Sequence, residues 1–401
     1  MHGHYLAYLV MLVGCGSTAA TPDAAGPDAR PVDLTCLSTP GLTAVEQQLI
    51  NQPADSWAAL PNTALDPWCR TQGLPENGEP TAYRCGNVIL AWGGGAFDPS
   101  RRQLILFGGG HNDYAGNEVY GFDIATAAWK LLRPPTPMAQ VVPSTDAYAD
   151  GTPVSRHTYD GFAYLTDRAK LLTFGGSRYQ DGSTTAVTWL LDSATLSWTR
   201  KSEFPPSGGG IFFTGTDYDE TTHTVYTRTQ DGIFTYDVGN DSWQRIADFG
   251  YPPFYPEFTT SNSRRGIVVP SRRLYFALGG KTQSGKPDVV VWDLAAGQDA
   301  TAAWTPQGDT RGIQISGTGA DLDRAADAIV AWSGGGPNIL DLNTKQWRIG
   351  SATGAPAQQI DNGTFGRWRY VSYLNVFVLV NDPTEDVYVY KHTGGCGIKG
   401  G

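Results

Sequence analysis

Two histidines and one tyrosine in this sequence could act as general acid and general base. His111 follows a run of three glycines, and His157 and Tyr159 stand two residues apart after a long proline-rich stretch. Side chains of these types transfer protons efficiently when the fold holds them within hydrogen-bonding distance of the reacting group. We therefore expect His111, His157 and Tyr159 to be catalytic, provided that the fold brings them together.

Arginines and further polar side chains could bind an anionic ligand beside these residues. A guanidinium group binds a carboxylate through two parallel hydrogen bonds. The aromatic segment 249–256 could stack on sugar rings, although the same rings could equally pack that segment against the protein. The expected ligand-binding residues are Arg265, Arg367, Arg369, Asn112, Tyr114, Tyr251 and Tyr255.

This set of side chains favours elimination over hydrolysis. The sequence has no Gly-x-Ser-x-Gly motif around a nucleophilic serine, and no pair of carboxylates stands out for glycoside hydrolysis. A base that removes the C5 proton of a uronic acid, an acid that protonates the leaving oxygen and arginines that stabilise the enolate-like charge would suffice for β-elimination. We therefore predict a lyase whose partner is an acidic polysaccharide or oligosaccharide.

Two alternatives from other functional classes stay open. One is a non-catalytic, surface-anchored protein that binds a glycan or another protein. The other is a metal-dependent enzyme with His111, Asp113, His157 and Asp160 as ligands, since imidazole and carboxylate groups suit several metals. No cofactor is required by the lyase hypothesis, and loop oxygens would permit a structural calcium ion.

The elements that would position these residues are short strands that recur along the chain. Each copy has an apolar strand ending in Gly-Gly, a variable loop, a strand of the Val-Tyr-x-Phe-Asp type and a strand that carries Trp. The six copies are marked by Gly108-Gly109, Gly175-Gly176, Tyr236-Asp237, Gly279-Gly280, Gly334-Gly335-Gly336 and Val387-Tyr388-Val389-Tyr390. The last copy lacks its Trp strand, and segment 55–60 with Trp57 supplies one. This pattern predicts an all-β propeller of six blades, with seven as the alternative, closed by its N-terminal strand.

The double Gly, Tyr and Trp positions of these copies resemble the kelch repeat over nearly all of the chain after residue 54. In a blade of strands A to D, counted outwards, the B–C loop and the D–A link emerge on one face. This places His111 in the first blade and His157 in the second on the same face, and His223 on the opposite one. Since alternate residues of a strand share a side, Arg265 and Arg367 are expected at similar depth in the central channel.

Histidine, tyrosine and arginine gathered on one propeller face are similar to the site of propeller polysaccharide lyases, such as the ulvan lyases and the rhamnose–glucuronate lyases. The resemblance implies that His111, His157 and Tyr159 move protons while Arg265 and Arg367 neutralise the uronate. It supports the elimination chemistry inferred above from the residue types.

The N-terminal residues indicate export. Residues 1–15 contain a short apolar run ending in Leu12-Val13-Gly14-Cys15, which resembles a bacterial lipobox and predicts a lipid on Cys15. An ordinary secretory signal is the alternative. Residues 16–35 are rich in Ala, Pro and Asp and read as a flexible tether, and residues 36–401 form the propeller. We expect an outer-membrane lipoprotein or a secreted protein, with membrane contact only through the lipid.

The remaining cysteines and the net charge narrow the class further. In an oxidising compartment two disulfides are expected, Cys69 with Cys85 within one loop-like segment and Cys36 with Cys396 across the chain ends. The net charge of −10 argues against nucleic acid as a partner, because phosphate binding needs a positive surface. We expect a monomer.

Overall fold

The computed structural model describes residues 41–72, 85–110, 114–205, 211–248 and 263–396. Within these ranges the chain forms six small antiparallel sheets, and the innermost strand of each sheet packs beside those of its two neighbours to close a ring. The protein is a six-bladed β-propeller, as predicted, and the seven-bladed alternative is wrong. No helix in the described ranges is both long and apolar enough to cross a membrane.

The strands follow one another in the order expected for a propeller. Those in the first part of the chain are β1 (Ser56–Leu60), β2 (Gly95–Asp98), β3 (Gln103–Phe107), β4 (Val119–Asp123), β5 (Ala128–Arg133), β6 (Arg156–His157), β7 (Phe162–Leu165), β8 (Lys170–Thr173), β9 (Ser177–Arg178), β10 (Val187–Asp192), β11 (Trp198–Glu203), β12 (Gly215–Asp219), β13 (Thr224–Arg228), β14 (Gly232–Asp237) and β15 (Ser242–Asp248). Those in the second part are β16 (Arg265–Val269), β17 (Leu274–Lys281), β18 (Pro287–Asp293), β19 (Gln298–Asp299), β20 (Gln307–Gly308), β21 (Gly319–Asp323), β22 (Ala328–Trp332), β23 (Asn338–Asp341), β24 (Gln346–Ile349), β25 (Trp368–Val371), β26 (Val376–Leu379) and β27 (Val387–Lys391).

Blades 1 to 6 begin with β2, β7, β12, β16, β21 and β25 as their innermost strands. The short strands β6 and β9 pair with each other beside blade 2, and β20 joins the outer edge of blade 5 in parallel to β24. The helices are short: α1 (Ala44–Ile50), α2 (Leu65–Arg70) and α3 (Asn87–Leu90), with 3₁₀ turns at Met138–Gln140, Pro270–Arg272, Thr301–Trp304, Gly312–Gln314 and Phe365–Arg367.

The middle strands of each blade are apolar on both faces because neighbouring blades cover both faces. All residues of β3, β22 and β26 are buried. The outermost strand β15, by contrast, has no fully buried residue. The hydrophobic core therefore lies between the blades, and near-continuous apolar runs mark the strands inside it.

Aspartates that end the third strand of a blade hold the tight turn that follows. Asp192 Oδ1 accepts hydrogen bonds from the backbone N–H groups of Ala194 and Thr195, both at 2.9 Å. The same pair of bonds is made by Asp237, Asp293 and Asp341. The Asp of the repeated sequence unit is thus a turn cap, which satisfies backbone donors that the sheet leaves open.

Tryptophans of the outer strands join neighbouring blades. The ring of Trp198 in blade 2 lies 5.0 Å from that of Phe107 in blade 1, between centroids. Trp243 Nε1 in blade 3 donates to Thr188 Oγ1 in blade 2 at 2.9 Å. The repeated Trp therefore stabilises the blade interfaces, as its position in the unit predicts.

The ring closes where the two ends of the chain meet. Strand β1 pairs with β27 as the outermost strand of blade 6, with Trp57 opposite Tyr390. The Trp57 indole donates to Ser351 O at 2.9 Å and lies 5.6 Å from the Trp368 ring. The predicted closure by an N-terminal strand is confirmed.

Two cysteine pairs were predicted, and the structure contains the Cys69–Cys85 disulfide. Cys396 is also disulfide-bonded. Cys36, the partner predicted for it, lies outside the described residues, as does Cys15.

Candidate active site and the two ends of the central channel

The innermost strands line a central channel. The residues that precede these strands occupy equivalent positions in the six blades. Counting back six residues from the last residue of each innermost strand reaches Trp92, Tyr159, Phe213, Ser263, Gly317 and Phe365. We call this end of the channel the upper mouth and the end at which the innermost strands finish the lower mouth. The predicted catalytic residues His157 and Tyr159 belong to the upper mouth.

Four of the six equivalent positions carry an aromatic residue in the left-handed backbone region. The φ angles of Trp92, Tyr159, Phe213 and Phe365 are +49°, +48°, +52° and +49°. This conformation costs free energy in a bulky residue and persists only where the surroundings impose it, which is common at functional sites. The Tyr159 ring lies 5.2 Å from Phe213 and 6.0 Å from Phe365, edge to face. Packing of these rings therefore holds Tyr159 in one position.

His157 and Tyr159 lie together, as predicted. Their ring centroids are 6.0 Å apart, and the imidazole stacks on the Trp92 indole at 4.7 Å. The backbone N–H of Tyr159 donates to Trp92 O at 2.7 Å, which joins the entrance of blade 1 to that of blade 2. Only 3% of His157 and 7% of Tyr159 is exposed. The two proton-transfer groups are thus buried among aromatic rings.

The protonation state of Tyr159 follows from its burial. Loss of solvent raises the pKa of the phenol above its usual value near 10, and a hydrogen bond with Ser177 opposes this only in part. The hydroxyl therefore keeps its proton at neutral pH. Tyr159 is suited to be a proton donor.

The loop that carries His111 starts beside His157. The N–H of Gly109 donates to Arg156 O at 3.1 Å. At Gly108, whose φ is +115°, a Cβ atom would lie 2.7 Å from the same oxygen, so only glycine fits this close approach. His111 itself, with Asn112 and Asp113, lies outside the described residues. Its catalytic role stays a prediction.

Tyr114, predicted to bind substrate, is buried. Its hydroxyl donates to the carboxylate of Glu118, which Tyr120 also contacts at 2.9 Å. Burial raises the pKa of Glu118, and the two phenols lower it by a smaller amount. Tyr114 thus has an internal partner that a ligand would have to displace. Tyr251 and Tyr255 lie outside the described residues.

Arg265, predicted to bind a ligand carboxylate, is fully buried and binds a carboxylate of the protein. Its Nη1 lies 3.1 Å from Asp160 Oδ2. That oxygen also accepts the backbone N–H groups of Thr216 and Gly266 at 2.8 and 2.9 Å. Burial raises the pKa of Asp160 to about 6, and Arg265 opposes this shift. The ion pair joins blades 2 and 4, at positions between those of the two mouths.

Arg367 and Arg156 are two buried cations at the upper mouth. Arg367 Nε donates to Gly93 O at 2.9 Å, next to Trp92, and its other nitrogens bind carbonyl oxygens of blade 6. Arg156 precedes His157 and donates from Nη1 to Gly175 O at 3.2 Å. Neither forms an ion pair within the described residues. Burial lowers the pKa of Arg367 to about 9 and that of Arg156 to about 10.

Arg369 was expected at the same mouth as the histidines, and the structure places it elsewhere. Its Nε and Nη2 donate to Gly366 O and Gly95 O at 3.1 and 3.0 Å. Its Nη1 lies 3.8 Å from Asp321 Oδ2, and the side chain lines a cavity of about 440 Å³ at the lower mouth. The reason is its position in the strand, two residues further along than Arg367.

The metal hypothesis has limited support in the described residues. Asp160, one of its four proposed ligands, is bound to Arg265. Across residues 41–72, 85–110, 114–205, 211–248 and 263–396, no group of three or more His, Cys, Asp and Glu side chains is arranged to hold a metal ion. His111 and Asp113 fall outside these ranges, so the hypothesis and the structural calcium ion stay untested there.

Three features of the two mouths were not predicted from the sequence. Arg156 stands directly before His157, and its burial is visible only in the fold. Trp92 precedes blade 1 at the position that Tyr159 occupies before blade 2. Aligning the repeats on the ends of their innermost strands would have predicted this equivalence. Asp217 and Asp321, which line the lower cavity, occupy equivalent positions in the Asp-x-Asp segments of β12 and β21.

Neither a protein-family model nor a curated protein matches this chain.

Proposed function

We propose that this protein is a polysaccharide lyase that cleaves uronate-containing chains by β-elimination at the upper mouth. The observation that carries the proposal is the pairing of His157 with Tyr159 at a mouth that also contains two buried arginines without ion pairs, Arg156 and Arg367. Proton-transfer groups in a positive potential suit an anionic substrate, whose charge offsets part of the cost of burying the guanidinium groups.

The chemistry follows from the two proton-transfer groups. The neutral imidazole of His157 takes the C5 proton of the uronic acid, and the electron pair of that C–H bond forms the C4–C5 double bond. The C4–O bond breaks, and the Tyr159 hydroxyl gives its proton to the leaving glycosidic oxygen. The products are one fragment whose new reducing end carries the protonated oxygen as a hydroxyl and a second fragment whose new non-reducing end is an unsaturated uronate.

Negative charge develops on the uronate carboxylate as the C5 proton leaves. Arg156 and Arg367 supply a positive potential close to His157, and the aromatic layer keeps water away, which strengthens that potential. Arg265 contributes less because Asp160 neutralises it. Arg367 acts through this potential and not through a direct bond, because Nε, Nη1 and Nη2 all donate to carbonyl oxygens of the protein.

Two features of the sequence agree with this activity. The blades resemble kelch repeats, and the His, Tyr and Arg set resembles that of propeller polysaccharide lyases. The lipobox-like segment ending at Cys15 and the Cys69–Cys85 disulfide suit a protein displayed outside the cytoplasm, where such polysaccharides occur. We propose a lipid-anchored or secreted location for the same reason.

A non-catalytic glycan-binding propeller is the second candidate. It is favoured by the near-complete burial of His157 and Tyr159, because rings that are only 3% and 7% exposed serve packing as readily as catalysis. Retention of acidic glycans without any new ultraviolet absorbance would support this candidate over the lyase.

The test is an ultraviolet assay for unsaturated uronate over a broad panel of uronic polysaccharides. We expect absorbance with the wild-type protein, and a loss on the order of 10²-fold or more in His157→Ala and Tyr159→Phe, the scale of general acid–base catalysis. His223→Ala is the matched control, since His223 lies at the opposite end of its blade with more than half of its side chain exposed. Wild-type rates in both site variants, or no absorbance with any polysaccharide, would overturn the proposal.

A further inference from the structure

The cavity at the lower mouth is built from the innermost strands of all six blades. Its volume is about 440 Å³, within the range of small-molecule sites. Its ionisable lining residues are Asp217, Glu220, Asp321, Arg324 and Arg369, and its rings are Phe97, Tyr164, Tyr218 and Tyr370. The structure thus places charged groups and aromatic faces around one space, at the end of the channel opposite to His157 and Tyr159.

The charges around this cavity do not cancel. Arg324 pairs with Glu220 at 2.9 Å, and Arg369 lies 3.8 Å from Asp321. Asp217 accepts one hydrogen bond, from the backbone N–H of Val268 at 2.7 Å, and forms no ion pair in the described part of the chain. With all three carboxylates ionised, three negative charges against two guanidinium groups leave one negative charge in excess. Burial raises the pKa of Asp217, and the charges of Arg265 and Arg369 oppose this rise.

Deeper in the channel, fully buried polar atoms also lack partners. Arg265 Nε and Nη2 and Asp160 Oδ1 find no hydrogen-bond partner among the described residues. Arg265 opens the strand of blade 4, between the strands that carry Asp217 and Asp321, and these two carboxylates act on it after Asp160. Arg265 and Asp160 do not line the cavity, so they act on a bound ligand through their charges and not through hydrogen bonds.

We propose that the lower cavity binds a small hydroxylated amine of the amino-sugar class, with its ammonium group beside Asp217 and Asp321. The excess negative charge selects the cation, and the four aromatic rings add cation–π attraction. Hydroxyl groups of the ligand would accept from Arg369 Nη1, which makes no hydrogen bond within the described residues. The volume suits a sugar ring, whereas a bare metal ion would need more ligands than the two carboxylates offer.

This inference is independent of the lyase proposal, because the two sites lie at opposite ends of the channel with the Asp160–Arg265 pair between them. The cavity could retain an amino sugar whether or not the upper mouth is catalytic. Binding at the lower mouth and elimination at the upper mouth can therefore be measured separately.

Calorimetric titration with glucosamine, N-acetylglucosamine and glucose tests the proposal, since the last two keep the ring and lose the charge. We expect glucosamine to bind the full chain at least tenfold more tightly than either. Asp217→Asn should weaken glucosamine about tenfold, because the amide still accepts the Val268 N–H and only the charge is lost. Asp361→Asn, an exposed carboxylate outside the cavity, is the control.

Equal affinity for the three sugars, no binding of glucosamine, or wild-type affinity in Asp217→Asn would each overturn the inference. Should Asp217→Asn fail to fold, Asp321→Asn provides the same charge test on the neighbouring blade. Lyase activity should be unchanged in both variants, which separates failure of this site from failure of the upper mouth.

Discussion

The two ends of the channel are formed by different positions of the same repeat, six and two residues before the end of the innermost strand. At the upper mouth, Trp92, Tyr159, Phe213 and Phe365 fill the entrance positions with rings, and the nearby arginines are buried among carbonyl oxygens. At the lower mouth, Asp217, Asp321 and Arg369 face an open cavity. The upper mouth is filled by aromatic rings, and the lower mouth combines aromatic rings with charged groups around a cavity.

The contrast between the two mouths shows that one repeated backbone can carry two different chemical environments. A propeller repeats its backbone six times, so equivalent strand positions form a ring around the channel. Residues at different distances from the end of the innermost strand form separate layers along the channel. The residue types in one layer do not restrict those in the next. The buried Asp160–Arg265 pair occupies strand positions between these two layers.

Breaking that buried pair should have the largest effect on stability. Asp160→Ala leaves the Arg265 guanidinium buried without its carboxylate and removes the acceptor for Thr216 and Gly266. We expect the free energy of unfolding to fall by about 3–5 kcal/mol in equilibrium denaturation. Asp309→Ala, which removes the partner of the exposed Arg311, should leave it unchanged. A loss below about 1 kcal/mol in Asp160→Ala would show that the pair does not hold the channel together.

Removing one ring of the upper mouth should affect that end alone. Trp92→Ala deletes the indole that stacks on His157 at 4.7 Å and leaves the imidazole less well positioned. We expect kcat/KM for the uronic polysaccharide to fall about tenfold, the scale of a stacking contact, while glucosamine affinity stays at the wild-type value. Equal losses at both ends would contradict the independence of the two mouths.

The smallest effect expected is in the pH dependence. Burial raises the pKa of Tyr159 above 10, so its acid form persists over the whole neutral range. Elimination should therefore show no alkaline decline below about pH 8. A first decline should follow the loss of charge from Arg367, whose pKa burial lowers to about 9, and a second should follow ionisation of the phenol above pH 10. Initial rates from pH 6 to pH 11 measure this, with circular dichroism as the check on folding. A decline that begins well below pH 8 would mean that another group donates the proton.

Much of the fold was predictable because it depends on local rules repeated many times. The turn-capping Asp192, the interblade Trp198 and the glycines recur at one spacing, so six weak signals support one architecture. The closing strand was predictable from Trp57, since the last copy lacked its own Trp strand. The Cys69–Cys85 bridge followed from proximity in sequence and an even number of cysteines.

The site was predictable in part. His157 and Tyr159 were expected together because they stand two residues apart at the start of one blade, and they are 6.0 Å apart. The partners of the arginines were not predictable, since Arg265 binds a carboxylate from blade 2 and Arg367 binds carbonyl oxygens from blades 1 and 6. Such contacts join residues more than a hundred positions apart, or atoms of the backbone that every residue shares.

The repeat and the closure of the ring follow from the sequence, which also favoured six blades over seven, because hydrophobic alternation and turn residues act within a few positions of each other. Only the tertiary structure decided which polar groups share an environment. Arg367 and Arg369 are two residues apart, yet one is buried beside Trp92 and the other lines the lower cavity. The reason is physical: depth in the channel is set by how six strands pack side by side, and burial then determines whether a charge is bound within the protein or available to a ligand.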